Sequence, residues 1–296
     1  MNKAFVLFST ASISAIILIL FVFFSLNDGK LHLVVCDVGQ GDAIFIRTAS
    51  GSDILVDGGP GKSVLSCLNR HMPFWDRNLE AIILTHPDAD HITGMVSVLK
   101  SYKVDALYTQ PNPGTTDIYE LFRHELAAKK LSATYVSAGD RLNLTDGASL
   151  NIIWPDSKQP EKIGHNGSKT SLPAGRQGLN RFSVTTIVKY GNFKALLTGD
   201  AGIEVGDRIA SSVGDIDVLK VPHHGSKTGM SDYYLSTIKP ELAVISVGAK
   251  NSYGHPAPFS LNLLKKHGVK TLRTDQDGEI EILSDGSTWT MKPSRN

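Results

Sequence analysis

The chain has 296 residues, with 30 Lys and Arg against 29 Asp and Glu, 41% hydrophobic residues and 20% charged ones, a composition that excludes disorder, collagen and coiled coil. A formal net charge of +1 gives no overall attraction for nucleic acid, so a polyanionic substrate must be held by a local patch or by metal. Two cysteines, Cys36 and Cys67, exclude a disulfide-rich scaffold and a CxxC-type zinc site.

Residues 4–26 carry no charge. As a helix this run would be about 34 Å long against a hydrocarbon core of about 30 Å, and it predicts one N-terminal transmembrane helix. A cleaved signal peptide and a buried core helix are the competing readings. A signal peptide usually has an apolar stretch of about 7 to 15 residues ending in an A-x-A type site, whereas this run ends in FFSLNDG. An uncleaved anchor over residues 1–30 is therefore favoured. Lys3 precedes the segment and points to a cytoplasmic N-terminus, although Lys30 weakens the asymmetry. The expected location is the cell membrane, single-pass, with the body, residues 31–296, extracytoplasmic.

LHLVVCDVGQGDAIFIRTASGSDILVDGG reads as strand, turn, strand, turn, strand, its short β-branched runs bounded by Gly, Asp and Ser. GKSVLSCLNRHM has helical spacing at Val64, Leu65 and Leu68. AIILT (81–85) is a buried strand that empties into a polar loop, followed by a helix from Gly94 to Tyr102. VDALYTQ is a strand, IYELFRHELAAKK a helix, and ATYVSAGDRLNLTDGASLNIIWP a β-meander. Residues 156–181 are rich in Gly, Pro, Ser and Lys and read as a flexible insertion. FSVTTIVKY and NFKALLTGD form a hairpin around Gly191, and VGDIDVLKVPHHGS runs a strand into a polar loop. ELAVISVGA is a strand, SLNLLKKHG a helix and GEIEILSDGSTWTMK a closing hairpin. The order predicts a layered α/β fold with mixed sheets.

THPDADH (85–91) places His86, Asp88, Asp90 and His91 at the carboxyl end of an apolar strand. Imidazole nitrogens and carboxylate oxygens are ligands for divalent metals. The alternative is a solvated Asp-rich turn whose carboxylates cap the helix at Gly94. Three more strand ends carry such groups: LLTGD with Asp200, VPHHGS with His223 and His224, and SYGHP with His255. One carboxylate, Asp200, could bridge two metals about 3.5 to 4 Å apart. Cys36 and Cys67, on a strand and a helix, read as buried thiols, and only an exported location would allow them to pair. Trp75, Trp154 and Trp289 are scattered and make no stacking platform.

DVGQGDA (37–43), ILVDGG (54–59), THPDADHITG, LLTGD, VLKVPHHGSKT and NSYGHP resemble the signature blocks of the metallo-β-lactamase superfamily, and more narrowly the metallohydrolase domain of ComEC-type DNA-uptake proteins. The resemblance covers about residues 31–285 apart from the insertion. It implies a four-layer αββα sandwich with a site for two divalent metal ions, zinc or manganese, at one edge of the sheets. By the same resemblance His86 and Asp88 bind the first metal, Asp90 and His91 the second, and Asp200 bridges. The PHHG block adds His223 or His224, with His224 favoured. Asp57 matches a buried Asp that supports the metal loop from behind. Asp42 and Gln40 lie in a turn facing the same edge, with plain turn chemistry an equal alternative. HxDxDH stands where the superfamily has HxHxDH, and the histidine expected just before the TGD strand has no counterpart. The first metal thus loses two nitrogens, which shifts preference from zinc toward manganese or leaves it weakly held. His165, in the insertion, is a remote substitute.

The resemblance implies metal-assisted hydrolysis of a phosphodiester, in nucleic acid outside the cytoplasmic membrane and alongside the DNA-uptake machinery. Asp90 would orient and deprotonate the attacking water, and His255 or the unliganded one of His223 and His224 would donate a proton. Ser226, Lys227 and Lys220 would neutralise phosphate, with a solvated loop as the alternative. Two other functions stay open: hydrolysis of another exported ester or a lactam, and a non-catalytic metal-binding or DNA-uptake accessory module. The sequence does not bear on oligomeric state.

Overall fold

The computed structural model describes residues 13–14, 28–156 and 177–295. In strand β1 (Leu31–Val35) successive side chains enter different apolar clusters: Leu31, Leu33 and Val35 point into one, Val34 into another. Such alternation with both faces buried requires a sheet covered on each side. The chain continues through β2 (Ile44–Arg47), β3 (Asp53–Val56), α1 (Ser63–His71), β4 (Asn78–Leu79), β5 (Ala81–Leu84), α2 (Ala89–Ser101), β6 (Lys103–Val104), β7 (Leu107–Thr109), α3 (Asp117–Ala128) and β8 (Ala133–Tyr135). It then builds β9 (Arg141–Asn143), β10 (Ser149–Trp154), α4 (Gln177–Asn180), β11 (Thr185–Tyr190), β12 (Phe193–Leu197), α5 (Ile203–Val213), β13 (Val218–Lys220), a 3-10 turn (Pro222–Gly225), α6 (Asp232–Ile238), β14 (Leu242–Ile245), α7 (Pro258–Lys266) and β15 (Lys270–Arg273). A short helix α8 (Thr274–Asp277) and the hairpin β16 (Ile280–Ser284) and β17 (Trp289–Pro293) close it.

Two large sheets result, with orders β17-β16-β1-β2-β3-β5-β7-β8 and β15-β14-β13-β12-β11-β10-β9, beside a small β4-β6 ribbon. Their facing sides share one core, from Leu33, Ile46, Ile83 and Ile282 on one sheet to Leu150, Val188, Leu197 and Val244 on the other. Helices α1, α2 and α3 cover the outer face of the first sheet through Cys67, Leu68, Met95, Leu99 and Phe122. Helices α5, α6 and α7 cover the second through Ile209, Tyr234, Leu235 and Leu264. Burying one such apolar side chain contributes about 1.5–3 kcal/mol; α1, α2, α5 and α7 stand without a side-chain N-cap, while Thr116 and Ser231 cap α3 and α6.

Within each sheet the order changes from antiparallel to parallel. β3, β5, β7 and β8 run parallel, as do β12, β13, β14 and β15. Parallel neighbours need a crossover, here a helix each time, and they bring the carboxyl ends of several strands to one edge. Those ends carry Asp57, His86, Asp200 and His223.

The structure departs from the sequence reading in four places. Helix α2 begins at Ala89, so Asp90 and His91 occupy its first turn rather than a loop. The expected meander is split: β8 pairs parallel with β7, while β9 and β10 form a hairpin in the other sheet. Helices α5 and α6 arise where no element was expected. Cys36 and Cys67, read as thiols, are joined in a disulfide across 31 residues, with Cα atoms 5.9 Å apart. Of the expected anchor over 1–30 only residues 13–14 and 28–30 are described, and of the expected insertion over 156–181 only Asp156 and residues 177–181, where the short helix α4 stands; His165 lies outside the described residues. Among the described residues no helix is long and apolar enough to cross a membrane.

Candidate metal centre

Asp57 follows β3 with a positive φ of 58°, a conformation that Asp tolerates better than most residues. Its backbone N–H bonds the Ile83 carbonyl at 2.9 Å. Its carboxylate accepts from the Thr85 backbone (2.8 Å) and hydroxyl (2.7 Å) and from His91 Nδ1 (2.7 Å). One buried side chain therefore ties the end of β3 to the end of β5 and to the first turn of α2.

That turn is drawn in by backbone contacts. Gly58 N–H bonds the His91 carbonyl at 2.7 Å, Gly94 N–H bonds Gly59 at 2.9 Å, and Asp42 N–H bonds Asp90 at 3.2 Å. A Cβ on Gly94 would lie 1.8 Å from the Gly58 oxygen, and one on Gly41 would lie 2.1 Å from the Asp90 oxygen. Glycine is required at both sites for α2 to come this close. Asp88 stands at the N-cap of α2 without a capping bond from its side chain, and its Oδ2 faces His86 Nε2 at 3.8 Å.

Three imidazoles use Nδ1 for support. His86 Nδ1 meets the Thr85 hydroxyl at 3.0 Å; that hydroxyl already donates to Asp57, so it accepts from His86. His224 Nδ1 donates to the Ser246 carbonyl at 2.9 Å, and His91 Nδ1 donates to Asp57. All three present Nε2 to the same space. His86 Nε2, His91 Nε2, His224 Nε2 and Asp200 Oδ1 are buried without a hydrogen-bond partner. Buried polar atoms are rarely left so. Asp90, His91, Asp200 and His224 offer ligand atoms within 4.8 Å of one another.

Asp200 divides the cluster. Its Oδ1 faces His91 Nε2 (3.4 Å) and His224 Nε2 (3.6 Å), the latter also 3.4 Å from Asp90 Oδ2. Its Oδ2 faces His223 Nε2 (3.6 Å) and His86 Nε2 (3.9 Å). His223 and His224 both adopt positive φ, 49° and 53°, which costs about 1–3 kcal/mol each and sends the two rings to opposite oxygens of Asp200. The open side is formed by Asp90, His223 and Asp88, with side chains 31%, 25% and 20% exposed.

The electrostatics follow from burial and charge. Burial, helped by His91, drives the His86 pKa down to about 3 and keeps that ring neutral. Burial opposes ionisation of Asp200, but His224 and His91 outweigh it and hold its pKa well below the carboxylate range. Burial likewise opposes charge on His224, yet Asp200 and Asp42 raise it to about 10. The cluster concentrates negative charge, and protons on His91 and His224 or a divalent cation would meet the same demand.

Two phosphate-binding expectations are corrected. Lys220 is 1% exposed, and its ammonium sits 2.8 Å from Asp42 Oδ2. It has the parity of Val218, which faces between the sheets, so its side chain crosses the sandwich instead of reaching solvent. Asp42 Oδ1 lies 3.4 Å from His224 Nδ1, so the pair props that histidine. Ser226 is buried; its hydroxyl holds Thr228, and its carbonyl accepts from Ser260. Lys227 is exposed. His255 is half-buried, its ring 5.6 Å from His223 and 6.5 Å from His224, with Nδ1 unpartnered. Gln40 accepts from Gly248 N–H at 3.2 Å. Sequence reasoning assigned no role to Thr85, Ser183 or the Ser246 carbonyl. Ser183 meets His86 Nδ1 at 3.3 Å and accepts from Asp200 N–H at 3.3 Å. A hydroxyl beside a motif histidine is a weak signal for Thr85, and nothing in the sequence marks the other two.

Known proteins similar to this chain point to one family. Residues 36–115 match the family model of the metallo-beta-lactamase superfamily. The chain is 29% identical over 290 residues to "ComE operon protein 3" of Bacillus subtilis, covering 90% of this chain and 34% of that protein. It is 31% identical over 250 residues to "Recombination protein 2" of Haemophilus influenzae, covering 83% of this chain and 28% of that one. The chain thus spans about a third of the length of these relatives. Among solved structures, CmlA, a diiron beta-hydroxylase from Streptomyces venezuelae, shares the fold with a TM-score of 0.53 at 14% identity, over 82% of this chain and 52% of that one. The chain is a member of the metallo-beta-lactamase superfamily. Within it, the protein is of the ComEC-like kind.

Proposed function

We propose that the protein is a membrane-tethered, metal-dependent phosphodiesterase acting on nucleic acid outside the cytoplasmic membrane. The observation that carries the reading is the convergence of unpartnered His86, His91, His224 and Asp200 atoms on one buried space. Their donor set of imidazole nitrogens and carboxylate oxygens fits two divalent cations, zinc or manganese. Asp90, His91 and His224 would hold one with Asp200 Oδ1, and His86, Asp88 and His223 the other with Asp200 Oδ2. His223 restores one of the two nitrogens that the sequence motif lacks on the His86 side. Bound there, the cations would supply Lewis acidity toward a phosphoryl oxygen and an acidified water.

The chain's own groups do the rest. Asp90, the most exposed of the carboxylates facing the cluster, would orient the attacking water and take its proton. His255, whose Nδ1 is buried without a partner and whose ring lies 5.6 Å from that of His223, would protonate the leaving oxygen. Lys227 is an exposed cation for the substrate backbone. Nucleic acid is supported by relatives named as competence and recombination proteins. An exported location is supported by the disulfide, since such bonds persist in oxidising compartments.

Metal content and cleavage of single- and double-stranded DNA, measured on the protein and on Asp90→Ala and Asp200→Ala, test the reading. Two cations per chain and cleavage reduced about 100-fold or more in both variants are expected. Two cations without cleavage would transfer the site to another exported ester or a lactam, and an empty site would leave a binding module.

A further inference from the structure

The loop between β14 and α7 holds an aromatic ring beside the metal centre. Tyr253 is 58% exposed. Its ring stacks on His255 at 5.8 Å with an interplanar angle of 23°, and His255 in turn lies 5.6 Å from the His223 ring. Stacked on one side and exposed over more than half its surface, Tyr253 offers an aromatic surface one imidazole removed from a ring that faces Asp200.

The ring sits on a rigid base. Asn251 Oδ1 accepts from the backbone N–H groups of Tyr253 (3.2 Å) and His255 (3.0 Å), and Asn251 Nδ2 donates to the carbonyls of Gly248 (2.8 Å) and His255 (2.7 Å). Gln40 pins the same loop at Gly248. An aromatic ring with two χ angles on a fixed backbone loses little entropy when something stacks on it. Lys250, exposed on the same loop, adds a cation for neighbouring phosphates.

We propose that Tyr253 is a positioning residue for single-stranded nucleic acid, stacking the base of a nucleotide that flanks the scissile phosphate. This rests on the phosphodiesterase reading and goes further: it selects unpaired strands, since a base within a duplex presents no free face to the ring. In the sequence Tyr253 is a lone tyrosine among scattered aromatics, and its stacking on His255 is what sets it beside the site.

The test uses the full chain and single-stranded oligonucleotides with an intact or an abasic nucleotide beside the cleavage point. Tyr253→Ala is expected to raise KM for the intact strand about 10-fold with kcat changed less than about twofold, the size that alanine substitution of one stacking residue gives. The abasic strand should start at the raised KM and gain nothing further from the substitution, and Tyr253→Phe should behave as the unaltered protein. An unchanged KM, or an equal rise for both strands, would overturn the inference. If no oligonucleotide is cleaved, the phosphodiesterase reading fails by itself. The stacking is then scored by fluorescence of a strand containing 2-aminopurine: quenching that disappears in Tyr253→Ala supports it, and absence of quenching overturns it.

Discussion

At Asp57 a single carboxylate serves three donors, two on Thr85 and one on His91. It fixes which His91 nitrogen faces the cluster, and burial raises its own pKa against the opposing pull of His91. Replacing it with Asn puts an amide hydrogen against a donor and removes the charge. Asp57→Asn is expected to weaken metal affinity about 10- to 100-fold, read by isothermal titration, and unchanged affinity would show that His91 does not need this support. The Lys220 and Asp42 pair follows the same logic from the other sheet, holding His224 through Asp42. A lysine three positions before a histidine pair looks like a phosphate ligand in sequence. Strand parity turns it inward.

Elements set how close these residues come. Helix α2 can deliver His91 only because Gly94 and Gly58 let two backbones touch. Gly94→Val is expected to destabilise the fold by about 3 kcal/mol or more, since overpacking against backbone costs more than against a movable side chain. Urea unfolding would read this, and a loss below 1 kcal/mol would mean that the helix has room to shift. A second junction joins β1, β16 and α1 on the first sheet. His32 bonds Glu281 (2.8 Å) and Asp28 (3.0 Å), while Glu279 takes Arg70 and, at 2.7 Å, His71. Burial opposes charge on His32, but Glu281 and Asp28 outweigh it and raise its pKa. Protons therefore bind the folded form more tightly. The stability this contributes is fully present below the unfolded value near 6.5 and is lost as pH rises through the higher folded value. For Glu281 the His32 bond leads and lowers the pKa, so its share is present above the unfolded value near 4.5 and is lost as pH falls through the lower folded one. His32→Gln should cost about 0.5–1 kcal/mol near pH 6, discounted for partial exposure, and less near pH 9. Equal costs at both pH values would remove the charge from the explanation.

Across the whole molecule, the disulfide closes a loop of 31 residues between Cys36, just past β1, and Cys67 in α1. Loop-closure entropy in the unfolded chain gives it about 3–4 kcal/mol. Denaturant unfolding of the protein with and without reductant, beside a Cys36→Ala/Cys67→Ala double variant, should show that loss in both. Stability indifferent to reductant would mean that the bond constrains little. Cys36 also immediately precedes the turn carrying Gln40 and Asp42, so the same bond anchors a loop that reaches His224. The closing strand β16 pairs with β1, next to the beginning of the described body, so the first sheet is complete only after the second has been built.

The sequence by itself determined the chemistry and the periodicity. THPDADH, TGD and PHHG carry the groups that gather around Asp200, and short β-branched runs broken by Gly and Asp mark most of the strands, because ligand type and strand alternation are properties of a few adjacent residues. Tertiary structure decided what depends on residues distant in the chain. The pairing of β8 with β7 rather than β9 breaks the meander. Backbone bonds to Gly58 and Gly59 support a first turn of α2 that reaches back to Ala89. The packing of one sheet on the other gives Lys220 to Asp42. The paired positive φ values at His223 and His224 send neighbouring rings to different oxygens of one carboxylate. The Cys36 and Cys67 pair likewise exists because α1 packs on the strand beside it. Each of these is set by which surfaces meet when two sheets bury a shared core, and no local window of sequence contains that information.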